Sequence, residues 1–263
     1  LGVNFACYVG HSNVRRWVMG DDCYDREASA DEIAAMQVIV AEAISAGAAA
    51  FSSSSAPTHL DIKGRPVPSR SAAHEEIVAL VETAGRTRPG SVCYLPASAI
   101  GGMVQEDYDF LIELGLAGGI PIIIQGIGGR SKVDAPTATW DASVKFLEQA
   151  TELGAPVYSL LITRPFDRSV EIGPNNVLYR AVFDFHEMLQ LPEDERRAAL
   201  NDPVWREKLR GSVANYNRDP ARGTTLPPPP WSTVYVDQVV KPENAWAEGR
   251  SIADIAAEKG VAD

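Results

Sequence analysis

A chain of 263 residues, 45% hydrophobic and 22% charged, has the composition of an ordinary globular protein and the length to bury a sizeable core. Its formal net charge of −11 argues against a surface for nucleic acid or anionic membrane. No apolar run approaches the ~20 residues that span a bilayer, and three widely spaced cysteines, Cys7, Cys23 and Cys93, favour reduced thiols in the cytoplasm over a disulfide framework.

The chain opens on an apolar run, Val3 to Val9, that reads as a strand and stops at Gly10 and His11. Arg15 and Arg16 open a short helical turn, and Asp21 to Glu27 reads as an acidic loop. Ser29 and Glu32 have the spacing of a capping box, ahead of a helical stripe of Ile33, Met36, Val40 and Ile44 that stops near Gly47. Ala48 to Phe51 is a short strand running into Ser52 to Ser55, followed by a turn-rich loop from Ala56 to Ser69. A helix from about Ala72 to Gly85 carries Ile77, Leu80, Val81 and Ala84 on one face, and Ser91 to Pro96 is the third strand. Asp107, Phe110, Leu111 and Leu114 return to helical spacing. Pro121 to Gln125 is a continuous apolar run, as in strands buried on both faces of a parallel sheet. Thr137 to Gly154 reads as a helix with Trp140, Val144 and Leu147 inward, and Pro156 to Thr163 as the fifth strand, ending at Arg164.

Beyond Arg164 the pattern changes. Asn175 to Leu191 is helical, Pro192 to Asn217 is a charged helical stretch broken at Pro203, and Leu226 to Pro230 is a stiff spacer. Trp231 to Val240 alternates like a strand, and Ser251 to Gly260 is a last short helix.

Repeated β-then-α units imply a parallel sheet with helices outside it. Eight would close a TIM (β/α)8-type barrel; about five to six are present. The rival, a doubly wound sheet, should show a glycine fingerprint after the first strand, and Gly10 to Arg15 lacks it. The expectation is a partial α/β barrel over residues 1–225, continued by a later strand and helix over 226–263. The chain begins inside a strand and ends just after a helix, so an internal fragment, inactive in isolation, is expected.

Residues just past the strand ends of such a barrel face one mouth. This singles out His11, Ser52, Gln125 and Arg164 as substrate-binding candidates, with Arg164 suited to a carboxylate. The competing readings are a structural hydrogen bond for His11, a polar capping loop for Ser52, and a rim ion pair involving Arg164. His74 and His186 read as surface or structural, and His59 is open between surface and pocket. No H-x-H, H-x-x-x-H or H-E-x-x-H spacing occurs. No G-x-S-x-G elbow surrounds the serines, so a serine nucleophile is not expected. Cys7 and Cys93 read as buried, inert thiols.

Three blocks carry a resemblance. The first is Val9-Gly10-His11-Ser12 with Val14-Arg15 and Val18-Met19. The second is Glu27-Ala28, Asp31-Glu32-Ile33 and Met36-Gln37, then Ala43, Gly47-Ala48 and Ser52. The third is Glu248 to Ile252 with Ile255 to Glu258 and Gly260. Together they resemble the N-acyl-D-amino-acid deacylase (D-aminoacylase) branch of the amidohydrolase superfamily. The resemblance implies a metal-dependent (β/α)8 hydrolase of non-peptide C–N bonds. A zinc-activated water would release the acyl group from an N-acyl-(D-)amino acid or related amide. It also implies a small-molecule substrate as the partner, an H-x-H before Leu1 and a functional Asp after Asp263. Where the family carries ligand histidines, this chain has Pro96 and Gly126-Ile127, whose side chains offer no donor. No metal ligand and no catalytic residue is therefore assigned. The alternative is a non-hydrolytic, ligand-binding barrel that has lost the metal site.

Overall fold

A computed structural model of the chain describes residues 2, 5–57, 59–99, 103–125, 140–161, 171–174, 176, 179–215 and 231–261. They fall into two compact units, Leu1–Asp167 and Arg168–Asp263.

The first unit is an α/β layer. Its strands are β1 (Val9–Gly10), β2 (Ala50–Ser54), β3 (Ser91–Leu95), β4 (Ile122–Gln125) and β5 (Val157–Leu160). Between and after them run α1 (His11–Met19), α2 (Ala30–Ser45), α3 (His74–Thr87), α4 (Gln105–Gly118) and α5 (Trp140–Glu152). All four strand pairings are parallel and the order is sequential, β1-β2-β3-β4-β5. Among the described strands no reversal of order occurs, so the switch point of a doubly wound sheet is absent.

Register sets the two faces. Val9, Phe51, Val92, Ile122 and Val157 lie in one row across the sheet. They pack with Met36, Val40, Ile44, Ile77, Leu80, Leu111, Leu114 and Phe146 of the helices. The neighbouring row, Gly10, Ser52, Cys93, Ile123 and Tyr158, points the other way. Tyr158 in that row is 57% exposed.

The helices start and stop for local reasons. Ser29 accepts from the Glu32 N–H at 3.3 Å while its own N–H donates to the Glu32 carboxylate at 2.8 Å, completing the capping box of α2. In α3, Ile77, Leu80, Val81 and Ala84 are all buried, as the spacing predicts. Helices α3 and α4 meet backbone to backbone at Gly85, where a Cβ would lie 1.8 Å from the Gly118 carbonyl oxygen.

Three local expectations need correction. The first strand shrinks to Val9–Gly10 among the described residues because only these two residues pair with β2 while Phe5 to Tyr8 are exposed, although the Cys7 carbonyl still accepts from the Ala49 N–H at 2.7 Å. Trp140 is exposed, and Ser143, Phe146 and Ala150 form the buried stripe of α5. Helical side chains lean toward the N-terminus, so a first-position residue projects past the packed layer. Cys7 is exposed, outside the strand; Cys23 is buried and Cys93 half-buried, all three free.

The second unit holds α6 (Phe183–Gln190), α7 (Glu193–Asn201), α8 (Pro203–Ala214) and α9 (Ile252–Lys259). Met188, Leu189, Ala199 and Leu209 make a small core with Phe185, Leu191 and Trp205 against it. Pro203 starts α8 rather than merely breaking a helix: it occupies the first turn, and Asp202 caps it through the Val204 N–H at 2.9 Å. Trp231 to Val240 forms no regular strand. Trp231–Thr233 is a 3-10 turn, and Tyr235 makes one antiparallel bridge to Ser251, too little partner backbone to extend a ladder. Ser251 then caps α9. Among the described residues no helix is long and apolar enough to cross a membrane.

Candidate functional site

Because the strands run parallel and Gly10, Ser52 and Cys93 share a row, their carboxyl ends open together. A pocket of 320 Å³ lies there. Its walls are Gly10, Ser52 to Ser54, Cys93, Leu95 and Gln125 from the strands, His11, Ser12 and Asn13 from the first turn of α1, and His59, Val67 and Ser69 from the β2–α3 connection. Among the described residues no carboxylate, lysine or arginine lines it. The wall is neutral and rich in hydroxyl and amide groups.

The connection is tied down by its own polar groups. The Ser69 N–H donates to Ser12 Oγ at 3.1 Å, and the Ser69 hydroxyl donates to the Ser54 carbonyl at 2.8 Å. Next to the pocket, Ser55 and Tyr94 share a hydrogen bond of 2.8 Å, and burial pushes the Tyr94 phenol up to about 12.

Behind Ser53 lies a buried polar array. His11 is 1% exposed and uses both ring nitrogens, Nδ1 to Ser53 Oγ at 2.8 Å and Nε2 to Glu76 Oε1 at 2.6 Å. The Phe51 ring sits against the imidazole, 5.3 Å between centroids. Arg15, one turn along α1 from His11, donates to the other Glu76 oxygen, and its second terminal nitrogen donates to the Arg26 carbonyl at 2.8 Å. Burial holds the His11 imidazole below its ordinary value of 6.5, against the pull of Glu76. A neutral ring fixes the tautomer: Nε2–H donates to the carboxylate, leaving Nδ1 to accept the Ser53 hydroxyl proton. Burial alone would raise Glu76, but hydrogen bonds from His11 and Arg15 outweigh it and hold its carboxyl below the ordinary range.

His11, Ser52 and Gln125 thus all line one pocket, with the His11 ring enclosed behind the wall and Gln125 exposed. Arg164 lies outside the described residues, as do Gly126 and Ile127. Pro96 is buried just past β3. Cys93 lines the pocket, and burial pushes its thiol up, away from the reactive thiolate. His59 is exposed at the rim; His74 is exposed and stacks on Phe110 at 4.2 Å; the His186 Nδ1–H donates to the Arg180 carbonyl at 2.8 Å.

Arg15 and Glu76 escape a sequence reading, and Ser53 enters it only within the run of strand-end hydroxyls from Ser52 to Ser55. One signal was present: His11 and Arg15 are four residues apart and so share a helix face. Glu76 likewise falls four residues before Leu80, in line with a buried stripe. Among the described residues no three His, Cys, Asp or Glu side chains come together as a metal-binding group.

No family model and no curated protein matches the chain. Three solved structures of D-aminoacylase are similar to it: one described as defining a novel subset of amidohydrolases, one of a mutant in complex with copper chloride, and one concerning the functional role of that enzyme's binuclear metal centre. Each is 26% identical, with a TM-score of 0.46, covering 60% of this chain and 30% of that one. At that level the likeness leaves the reading of this site to its own geometry.

Proposed function

We propose that the chain supplies the substrate-binding wall of an amidohydrolase-type (β/α)8 barrel that acts on an N-acyl amino acid or a related small amide. The observation that carries this reading is the neutral, hydrogen-bonding pocket at the carboxyl ends of consecutive parallel strands. Such strand ends are where barrels of this kind keep their sites. The sequential strand order supports the barrel. The Gln125 side chain offers a donor and an acceptor, the complement of an amide, and the Ser52 hydroxyl adds a second point of attachment. Arg164, following β5 in sequence, is the partner proposed for the substrate's carboxylate. His11 holds the wall from behind. The three free cysteines accord with a cytoplasmic setting.

The zinc ion implied by the sequence resemblance does not fit the groups present. The described strand ends offer glycine, serine, leucine and glutamine, and no trio of metal-ligating side chains gathers among the described residues. That donor set favours a second reading, a barrel that binds the amide without metal-assisted hydrolysis.

The full-length protein should bind or hydrolyse members of a panel of N-acetyl D- and L-amino acids, measured by calorimetry and amine release. Gln125→Ala should weaken binding about tenfold, the worth of one hydrogen bond of ~1.4 kcal/mol. Neither binding nor turnover across the panel would overturn the proposal.

A further inference from the structure

We propose that Gly10, Ser52 and Cys93 floor a recess that takes the uncharged acyl end of the substrate, with Gly10 and Cys93 setting the length of acyl chain admitted. The inference rests on the pocket being the amide-binding site, and it deepens that reading by fixing which end of the substrate enters and what limits it.

Strand register builds the recess. Gly10, Ser52 and Cys93 are direct neighbours on β1, β2 and β3, and all three line the pocket. Two residues further along, on the same face of the sheet, Ser54, Leu95 and Gln125 form the next level. Residues of both levels line the cavity, so it is two levels deep over these strands. Barrel interiors are ordinarily filled at such levels by bulky branched side chains. Here the floor carries a hydrogen, a hydroxymethyl and a mercaptomethyl group. The same row turns to large side chains at Ile123 and Tyr158, which are not part of the wall, so the floor ends at β3.

Gly10 is the telling residue. Its φ of −83° and ψ of 121° are open to any amino acid. A Cβ there would touch nothing closer than Asn13 Nδ2 at 3.4 Å, an ordinary contact. Neither backbone conformation nor packing therefore calls for glycine, in contrast to Gly85, where a Cβ meets the Gly118 backbone. What a side chain at Gly10 would take is space in the cavity.

The wall decides which end enters. Among the described residues no carboxylate, lysine or arginine lines it, so a substrate carboxylate lodged at the floor would lose its hydration without gaining a counter-ion. The first turn of α1 supplies about half a charge, too little to replace one. An acyl chain meets no such penalty: its methylenes lie against Cys93, while Gln125, one level up, is placed for the amide. The carboxylate is left at the mouth, where His59 is exposed. A cavity of 320 Å³ stands at the low end for small-molecule sites, so the guest is a short chain.

The test is binding of N-acylglycines from formyl to hexanoyl to the full-length protein, read by calorimetry, or as KM where they are turned over. Affinity should rise about fourfold for each methylene until the recess is full, and fall beyond that length. Gly10→Ala should move this break to a shorter chain and Cys93→Ala to a longer one, while N-formylglycine binds as before. A break at the same length in both variants, or one uniform loss across the series, overturns the inference.

A second measurement needs no variant. Iodoacetamide is a small neutral amide and iodoacetate its anionic counterpart; both alkylate thiols, and the exposed Cys7 is a reference within the same chain. In mildly alkaline solution the rate at Cys93 relative to Cys7 should be about tenfold lower with iodoacetate, whose charge must be desolvated to reach the floor. Equal ratios overturn the inference, even where N-acylglycines bind. Unequal ratios with no N-acyl amino acid bound support the uncharged recess and overturn the substrate class.

Discussion

Arg15 and Glu76 form a fully buried ion pair, and its energetic meaning lies in what happens when it is halved. An intact buried pair adds little net stability, because desolvation offsets attraction, but removing one partner strands a charge and costs about 3–5 kcal/mol. Arg15→Met should lower stability by that amount, read from the urea midpoint; a loss below about 1 kcal/mol would mean that Glu76 is not held as described. The pair also sets an acid limit. His11 is held below 6.5 by burial, so the unfolded chain takes up a proton that the folded chain refuses. Stability from this group is complete above 6.5 and is lost as pH falls toward the depressed folded value. Glu76, held below its ordinary 4.5, adds a second loss in the same direction beneath that pH. Thermal midpoints should therefore decline from pH 7 to 5, and His11→Gln should flatten that part of the curve. A midpoint rising over the same interval would contradict the burial of a neutral imidazole.

At the scale of elements, what could be read from the sequence was what neighbours in the chain decide. The capping box at Ser29 and Glu32 and the stripe of Ile77, Leu80, Val81 and Ala84 depend on residues within two turns, and both are present as expected. The extended reading of Trp231 to Val240 depended on a partner strand that alternation alone cannot supply. Trp140 has the spacing of an inward residue but stands at the end of its helix. The His11–Glu76 contact joins residues 65 apart, so only the strand-end position of His11 was visible beforehand. The approach of α3 to α4 was equally hidden. Gly85 looks like a helix stop, yet it lies inside α3 and allows the Gly118 backbone to touch it. Gly85→Ala forces two backbones apart, and overpacking of this kind costs about 1–3 kcal/mol. The melting temperature should fall by roughly 2–4 °C per kcal/mol. An unchanged or raised midpoint would show that the helices do not meet there.

At the scale of the molecule, repeated β-then-α spacing makes a parallel sheet legible, since parallel neighbours need a crossover between them. The composition of each core was not legible, because the same apolar content can be gathered into one cluster or several. Among the described residues it is gathered into two. The first unit concentrates its large apolar side chains between sheet and helices, with Leu80 fully buried at the α3 interface. The second unit has the small cluster of Met188, Leu189, Ala199 and Leu209, with Leu209 5% exposed. Buried apolar area is the main favourable contribution to folding, so the unit with the smaller cluster holds less of it. Units with separate cores need not unfold in one transition. Calorimetry should therefore resolve two transitions, the lower belonging to Arg168–Asp263. Truncating a buried leucine to alanine costs about 2–5 kcal/mol in the unit that contains it. Leu209→Ala should move only the lower transition and Leu80→Ala only the upper. A single transition that both substitutions shift equally would show that the two cores fold as one.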